Sequence, residues 1–219
     1  DQTLESCIEQ CGLDRAHGDI IHNVIDTSAI LSKGAESLNG QGIKSGVINI
    51  CSVGRLTKIK GYDRLIHSLR KIIDDFPNVH LYLIGIGEEK TALENLVAQL
   101  RMDSYVSFLG FQQNPHRFVS KCDLFVCSSH HEGYSTAVTE AVILGTPVLT
   151  TRCSAMDEIL DNGTAGMIVE NSSDGIYQGM VKLLSQPELL ASYADKAKRK
   201  SSYYQQHNNA TKVEELFDT

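Results

Sequence analysis

The sequence predicts an α/β protein: a parallel β-sheet with helices on both faces. Two observations carry this. From residue 47 onward, short apolar, β-branched runs alternate with longer amphipathic stretches, the pattern of successive βα units. Several of the short runs, Leu81-Tyr-Leu-Ile84 among them, are apolar at successive positions and so on both faces, which suits central strands covered from two sides. With 219 residues, 42% hydrophobic and 21% charged, the chain is long enough for one substantial core.

In chain order the expected strands are Val47 to Val53, His80 to Ile84, Tyr105 to Phe108, Leu124 to Cys127, Pro147 to Thr150 and Gly166 to Val169. Between them, Tyr62 to Phe76 sets Leu65, Ile66, Leu69, Ile72 and Ile73 at helical spacing and stops at Pro77-Asn78. Glu88 to Arg101 repeats the pattern with Leu93, Leu96, Val97 and Leu100. Asn114 to Lys121 reads as a short helix, Ser135 to Leu144 as a buried one closed by Gly145, and Asp174 to Leu184 as another. After Pro187 the chain is polar and helical to its end, a tail suited to packing across a neighbouring domain. Residues 1 to 46 break the rhythm. They hold one apolar run, Ile20 to Ile25, and a Ser-, Gly- and Lys-rich stretch from Ser32 to Ser45 that reads as a loop or linker.

A net charge of −7 and a pI near 5.6 argue against a broad nucleic-acid surface, which needs clustered Lys and Arg. Cys7, Cys11, Cys51, Cys122, Cys127 and Cys153 lack paired CxxC spacing, and several sit in apolar runs, so they read as buried or free thiols. No stretch approaches the roughly 20 apolar residues that span a bilayer, so the expectation is a cytoplasmic protein without a transmembrane segment. The chain starts with Asp1 rather than Met, which points to processing or, as expected here, to a fragment of a longer protein.

The chemistry concentrates in loops that follow strands. His131-Glu132-Gly133-Tyr134-Ser135-Thr136 follows the strand Leu124 to Cys127 and opens a helix containing Glu140, the position where α/β sheets bind ligands. Helix-start N–H groups near Ser135 and Thr136 would cradle an anion, although either hydroxyl could simply cap the helix. Glu132 and Glu140, eight positions apart, could face one crevice and accept hydrogen bonds from a ribose or hexose diol. Gly54-Arg55-Leu56-Thr57-Lys58-Ile59-Lys60-Gly61 follows the first strand. If the strand order brings it beside the Glu132 loop, Arg55 and Lys60 would neutralise a diphosphate; otherwise it is a solvated basic loop. Gly85-Ile86-Gly87 follows another strand and lets the backbone approach a ligand, but Lys90 stands where a dinucleotide fingerprint needs glycine, which disfavours a hydride-transferring enzyme.

Gly54-Arg55-Leu56 with Lys60-Gly61, Gly85-Ile86-Gly87, Phe108-Leu109-Gly110-Phe111, Glu132-Gly133-Tyr134 through Glu140-Ala141, and Gly145-Thr146-Pro147-Val148 together resemble the C-terminal domain of family 4 (group 1) retaining glycosyltransferases. The resemblance runs from about residue 20 to 185 and implies the C-terminal, Rossmann-like half of a GT-B fold. It implies a remnant of the N-terminal domain and linker over 1–46, with His22-Asn23-Val24-Ile25-Asp26 as the linker, a donor-binding domain over 47–185 and a helical tail over 186–219. By the same resemblance the catalytic set is Glu132, on hydroxyls of the transferred sugar, with Arg55 and Lys60 on the diphosphate. The donor-binding set is Gly54, Gly85, Gly87, Phe111, His131, Gly133, Tyr134, Ser135, Thr136 and Glu140. Among these, Glu140 would take the ribose, Gly133 to Thr136 would offer backbone N–H groups, and Phe108 to Gln112 would border the base.

The implied activity is transfer of a sugar, with retention, from a nucleoside-diphosphate sugar to a hydroxyl of a saccharide or lipid-linked acceptor. No cofactor or metal is expected, and the chain has no Asp-any-Asp motif. The resemblance implies that the acceptor pocket belongs to the N-terminal domain, of which this chain is expected to hold only a remnant. In the full-length protein the expected station is the cytoplasm, peripheral at the inner membrane face, in polysaccharide or glycolipid assembly. A nucleotide-sugar binding module without turnover shares the pocket and differs only in the missing half. A non-hydrolysing sugar-nucleotide epimerase would need acid and base carboxylates and a different glutamate pattern. His130 and His131 have no identified partner carboxylate, so a loop or sugar contact suits them better than a base.

Overall fold

The computed structural model describes residues 25–206 apart from 39 and 41. Six strands form one parallel sheet: β1 (Ile48–Val53), β2 (Val79–Ile84), β3 (Val106–Gly110), β4 (Leu124–Cys127), β5 (Val148–Thr151) and β6 (Met167–Val169), in the order β3-β2-β1-β4-β5-β6. Helices α1 (Thr27–Ala35), α2 (Tyr62–Ile72), α3 (Lys90–Gln99), α4 (His116–Val119), α5 (Thr136–Ile143), α6 (Met156–Ile159), α7 (Ser173–Ser185) and α8 (Pro187–Gln206) cover it. This is a Rossmann-like α/β fold. Each expected strand is present within two residues of its expected bounds at either end.

The period of two in each strand builds two separate cores. Ile50, Leu81, Leu83, Leu124, Val126 and Leu149 point to one face and meet Leu65, Leu69 and Ile72 of α2, Leu93 and Val97 of α3, and Ile176, Met180 and Leu183 of α7. Cys51, Tyr82, Ile84, Phe125, Cys127 and Val148 point to the other and meet Phe118 and Val119 of α4, Val138 and Val142 of α5, and Ile159 of α6. Burial on both sides explains the apolar run Leu81 to Ile84 of β2 and that of β4, strands in which every residue is buried. The four described cysteines, Cys51, Cys122, Cys127 and Cys153, are free thiols, and burial pushes the Cys51 and Cys127 thiols above their usual range. Cys7 and Cys11 lie outside the described residues, as do the first three residues of the expected His22–Asp26 linker.

Two helices depart from the expectation. The Ser32–Ser45 stretch has the composition of a loop, yet its first residues complete α1. Asp26 caps that helix by accepting from the Ala29 N–H at 2.9 Å, and Thr27, Ile30 and Gly34 are its buried side. The glycine that suggested a loop is a contact residue: a Cβ on Gly34 would stand 2.3 Å from Leu144 Cδ2, and its carbonyl accepts from Ser120 Oγ at 2.6 Å. The four-residue α6, with Met156 and Ile159 buried, is too short to show a helical period.

Candidate functional site

The strand order turns around between β1 and β4, both of which begin from the middle of the sheet and whose neighbours lie on opposite sides. Loops leaving the carboxyl ends of such a pair splay apart and leave a crevice. The Gly54–Gly61 and Ser128–Ser135 loops meet at this place.

They are stitched together by hydrogen bonds. His130 N–H donates to Ile59 O at 2.8 Å, Ser128 Oγ to Lys60 O at 2.9 Å, and Arg64 Nε to Ser128 O at 2.7 Å. Lys60 ends a 3-10 turn, Lys58–Lys60, and Gly61 then enters α2 with φ 61° and ψ 34°. Only glycine fits there, because a Cβ would also stand 2.4 Å from Ser128 O and 2.6 Å from Arg64 Nε.

At the centre, Lys60 Nζ donates to Glu132 Oε1 at 2.6 Å, and the same oxygen accepts from Ser129 Oγ at 2.6 Å. The Glu132 side chain is 11% exposed and Lys60 is 24% exposed. Their ion pair is therefore largely withdrawn from water, where it is stronger than a surface pair but depends on its hydrogen bonds. Ser52, Tyr62, Cys127, Ser129, Ser135 and Ala137 close around them, leaving a cavity of about 10 Å³. Burial, with Cys127 beside it, holds the Tyr62 phenol above its usual range, so Tyr62 is a neutral donor.

The remaining expected residues take several places. Arg55 is exposed, and its guanidinium has no hydrogen bond or ion pair among the described residues. Gly54 makes room for Tyr62 and Lys60, since a Cβ there would lie 2.9 Å from the Tyr62 hydroxyl and 3.5 Å from Lys60 Cε. Ser135 is buried at the N-cap of α5 and makes no side-chain cap, which leaves the first-turn N–H groups of that helix uncapped by it; Thr136, His131 and Gly133 are exposed. Tyr134, like Tyr204 of α8, packs against the second core. Glu140 stands one turn beyond Ala137, outside the small cavity, and its Oε2 is 3.3 Å from His116 Nε2.

The glycines after β2 have a different immediate use from the one expected. A Cβ on Gly85 would fall 1.9 Å from Gly54 O, and one on Gly87 would fall 2.3 Å from Leu56 O. The close backbone approach they permit is to the neighbouring loop, where Gly54 N–H donates to Ile84 O and Leu56 N–H to Ile86 O. This packing holds the Arg55 loop against β2. Ile86 and Phe111, 55% and 72% exposed, stand on the adjacent loops after β2 and β3. Arg64 and His116 carry no signal in the sequence; what marks them is structural, an arginine 5% exposed and a histidine 9% exposed.

Comparison with known proteins fits this arrangement. The family model for glycosyl transferases group 1 matches residues 35–200. The chain is 28% identical over 203 residues to an N-acetylgalactosamine-N,N'-diacetylbacillosaminyl-diphospho-undecaprenol 4-alpha-N-acetylgalactosaminyltransferase of Campylobacter jejuni, covering 92% of this chain and 53% of the relative. It is 32% identical over 162 residues to the O-antigen biosynthesis glycosyltransferase WclY of Escherichia coli, covering 74% and 45%. The chain spans about half the length of the curated relatives it matches. In fold it is similar to Anabaena HepE, solved in complex with UDP, with TM-score 0.84 and 21% identity over all of this chain and 62% of that one. It also matches the C-terminal domain of LpcC from Francisella tularensis, with TM-score 0.68 and 24% identity over 80% of this chain and 95% of that one. A match over residues 35–200, a span that includes Lys60, Glu132 and Glu140, shows that this chain belongs to the group 1 glycosyl transferases.

Proposed function

We propose that this chain is the donor-binding half of a retaining glycosyltransferase that takes a nucleoside-diphosphate sugar. The observation that supports this best is the convergence of Lys60, Glu132 and the uncapped start of α5 at the β1/β4 crevice, with Arg55 free on the same loop as Lys60. Cation, carboxylate and free N–H groups within one crevice match the charge pattern of a phosphosugar: anionic diphosphate on one side, hydroxyl donors on the other.

The ion pair defines the first step. With Lys60 on Glu132 the cavity is far too small for a sugar. Donor entry exchanges the partners: Lys60 turns to the diphosphate, and Glu132, still held by Ser129, accepts from sugar hydroxyls. Glu140 takes the ribose diol, and the loop bearing Phe111 borders the base. As the glycosidic bond to the diphosphate breaks, negative charge grows on the phosphate oxygens, where Lys60, Arg55 and the α5 N-terminus stabilise it. These groups supply the positive charge, so the proposal assigns no metal. Retention requires the acceptor hydroxyl to arrive on the face the diphosphate leaves. The acceptor, a saccharide or lipid-linked glycan at the cytoplasmic membrane face, is held by a second domain outside this chain. The proportion of the relatives' length spanned here, and the undecaprenol-linked and O-antigen chemistry in their names, support that part of the reading.

The test is calorimetric titration of UDP, GDP and ADP and their sugar conjugates, in EDTA and again with Mg²⁺, against this chain and Glu140→Ala. Saturable binding of one nucleotide in EDTA, weakened about tenfold by the substitution, is the expected result. Absence of binding by the folded chain, or binding indifferent to Glu140, overturns it.

A further inference from the structure

We propose that His116 is the positioning residue for Glu140, fixing the carboxylate in the orientation that receives the nucleotide's ribose. This rests on the donor-binding reading above and adds a residue to it.

The histidine is anchored where the glutamate is not. Its residue is 9% exposed, at the start of α4, directly after Pro115. Three contacts tie α4 down: Phe118 and Val119 sink into the second core, Ser120 Oγ donates to Gly34 O of α1 at 2.6 Å, and Thr146 Oγ1 donates to Val119 O at 2.9 Å. The Glu140 side chain is 31% exposed against 11% for His116, so the carboxylate is the partner with freedom to turn.

The pair is poised rather than complete. His116 Nε2 lies 3.3 Å from Glu140 Oε2, yet the approach falls outside hydrogen-bond geometry, and both buried ring nitrogens lack hydrogen-bond partners. A buried imidazole with neither nitrogen satisfied is costly, and an apolar side chain would pack there without that cost. The arrangement makes sense if the bond closes in use. A diol drawing Glu140 round on its free oxygen brings Oε2 into line with the Nε2 proton, and each contact then favours the other. The segment that carries His116 also carries Phe111 and Gln112, assigned above to the base, so His116 links the segment at the base border to the ribose carboxylate.

The experiment compares His116→Phe and His116→Gln with the unaltered 219-residue chain and with Glu140→Ala. It titrates whichever nucleoside diphosphate binds, and its 2′-deoxy and 3′-deoxy forms, after thermal melts confirm folding. His116→Phe, which keeps a planar ring and removes the donor, is expected to weaken the ribose nucleotide about tenfold. It should leave unchanged at least one deoxy form, the one lacking the hydroxyl that Glu140 holds. His116→Gln, which keeps an N–H donor, is expected to stay within about threefold of the unaltered chain. A purely structural role predicts instead that His116→Phe weakens ribose and both deoxy nucleotides equally, and that result overturns the proposal, as does unchanged affinity for all three. Where the nucleotide binds and Glu140→Ala weakens it, either outcome removes His116 alone. Where no nucleotide binds, or Glu140 is indifferent, the donor-binding reading falls and this inference with it.

Discussion

His80 shows how a single buried residue writes a pH dependence into the fold. Its ring, at the start of β2, is held between Ser104 O at 3.1 Å and Ser107 Oγ at 2.8 Å and lies tilted against the Tyr82 ring at 4.7 Å, and the residue is 1% exposed. Burial, reinforced by the nearby Lys44 cation, lowers its pKa to about 4 from 6.5. The unfolded chain therefore takes up a proton near pH 6.5 that the folded chain refuses until about pH 4, and stability falls as pH drops through that window. Between pH 7 and pH 5 the loss from this group is about 2 kcal/mol. Urea unfolding at both pH values should show it, and His80→Asn should shrink the difference; an unchanged difference would assign the dependence elsewhere. None of this is legible in the sequence, where His80 simply opens the expected strand His80 to Ile84. Arg64 hid in the same way. An arginine on an amphipathic helix reads as solvent-facing, and what buries it is the Ser128 carbonyl from a loop 64 residues away. By contrast Lys60 and Glu132 were legible because the fold class predicts that loops after parallel strands share a crevice, and only the strand order was needed to join them.

The elements were legible where they follow a long period and obscure where a single contact defines them. The continuous apolar runs of β2 and β4 and the helical spacing of α2 announce themselves, whereas α1 depends on Gly34 meeting Leu144 and α6 is one turn long. The glycines divide by the same logic, which yields a paired prediction. Gly85, at φ 145°, would place a Cβ 1.9 Å from the Gly54 carbonyl, so Gly85→Ala must push the loop after β2 away from the Gly54–Gly61 loop that carries Arg55 and Lys60. Backbone is what it meets, and no side-chain rotamer can relieve the clash. The expected cost is about 3 kcal/mol, or about 6–12 °C in Tm for a chain this size. Gly133, in the heart of the family motif, has nothing within 4 Å of its Cβ position, and Gly133→Ala should melt within about 1 °C of the original. If Gly133→Ala alters nucleotide binding while leaving the melt alone, its role lies in ligand approach; if Gly85→Ala melts normally, the loop packing is softer than its distances imply.

At the scale of the whole molecule, α8 is what makes two cores into one cooperative unit. The sheet separates the cores completely, since alternate residues of each strand serve opposite faces. Helix α8 contributes to both: Leu189, Leu190 and Tyr193 pack on the α2–α3–α7 side, while Ala197, fully buried, and Tyr204 pack on the α4–α5–α6 side. Lys200 clamps the second half further by donating to Glu158 O and pairing with Asp161. Its polar sequence gave no hint of this, because a helix that touches each core with a different half never shows one sustained apolar stripe. The large apolar side chains of α8 are partly buried, so each contributes less than the roughly 1.5–3 kcal/mol of full burial. Net stabilities are only about 5–15 kcal/mol, so their sum is still a substantial share of the whole. A chain ending at Gln186 should therefore lose its cooperative thermal transition and its near-ultraviolet circular dichroism while retaining helical signal, the behaviour of a collapsed state without fixed packing. The milder Ala197→Glu places an unpaired charge in the second core only. Because α8 links the faces, it should nevertheless raise hydrogen exchange in α7, on the first face, as well as in α5. Exchange confined to α5 would mean that the two faces open independently and that α8 is a strap on one of them.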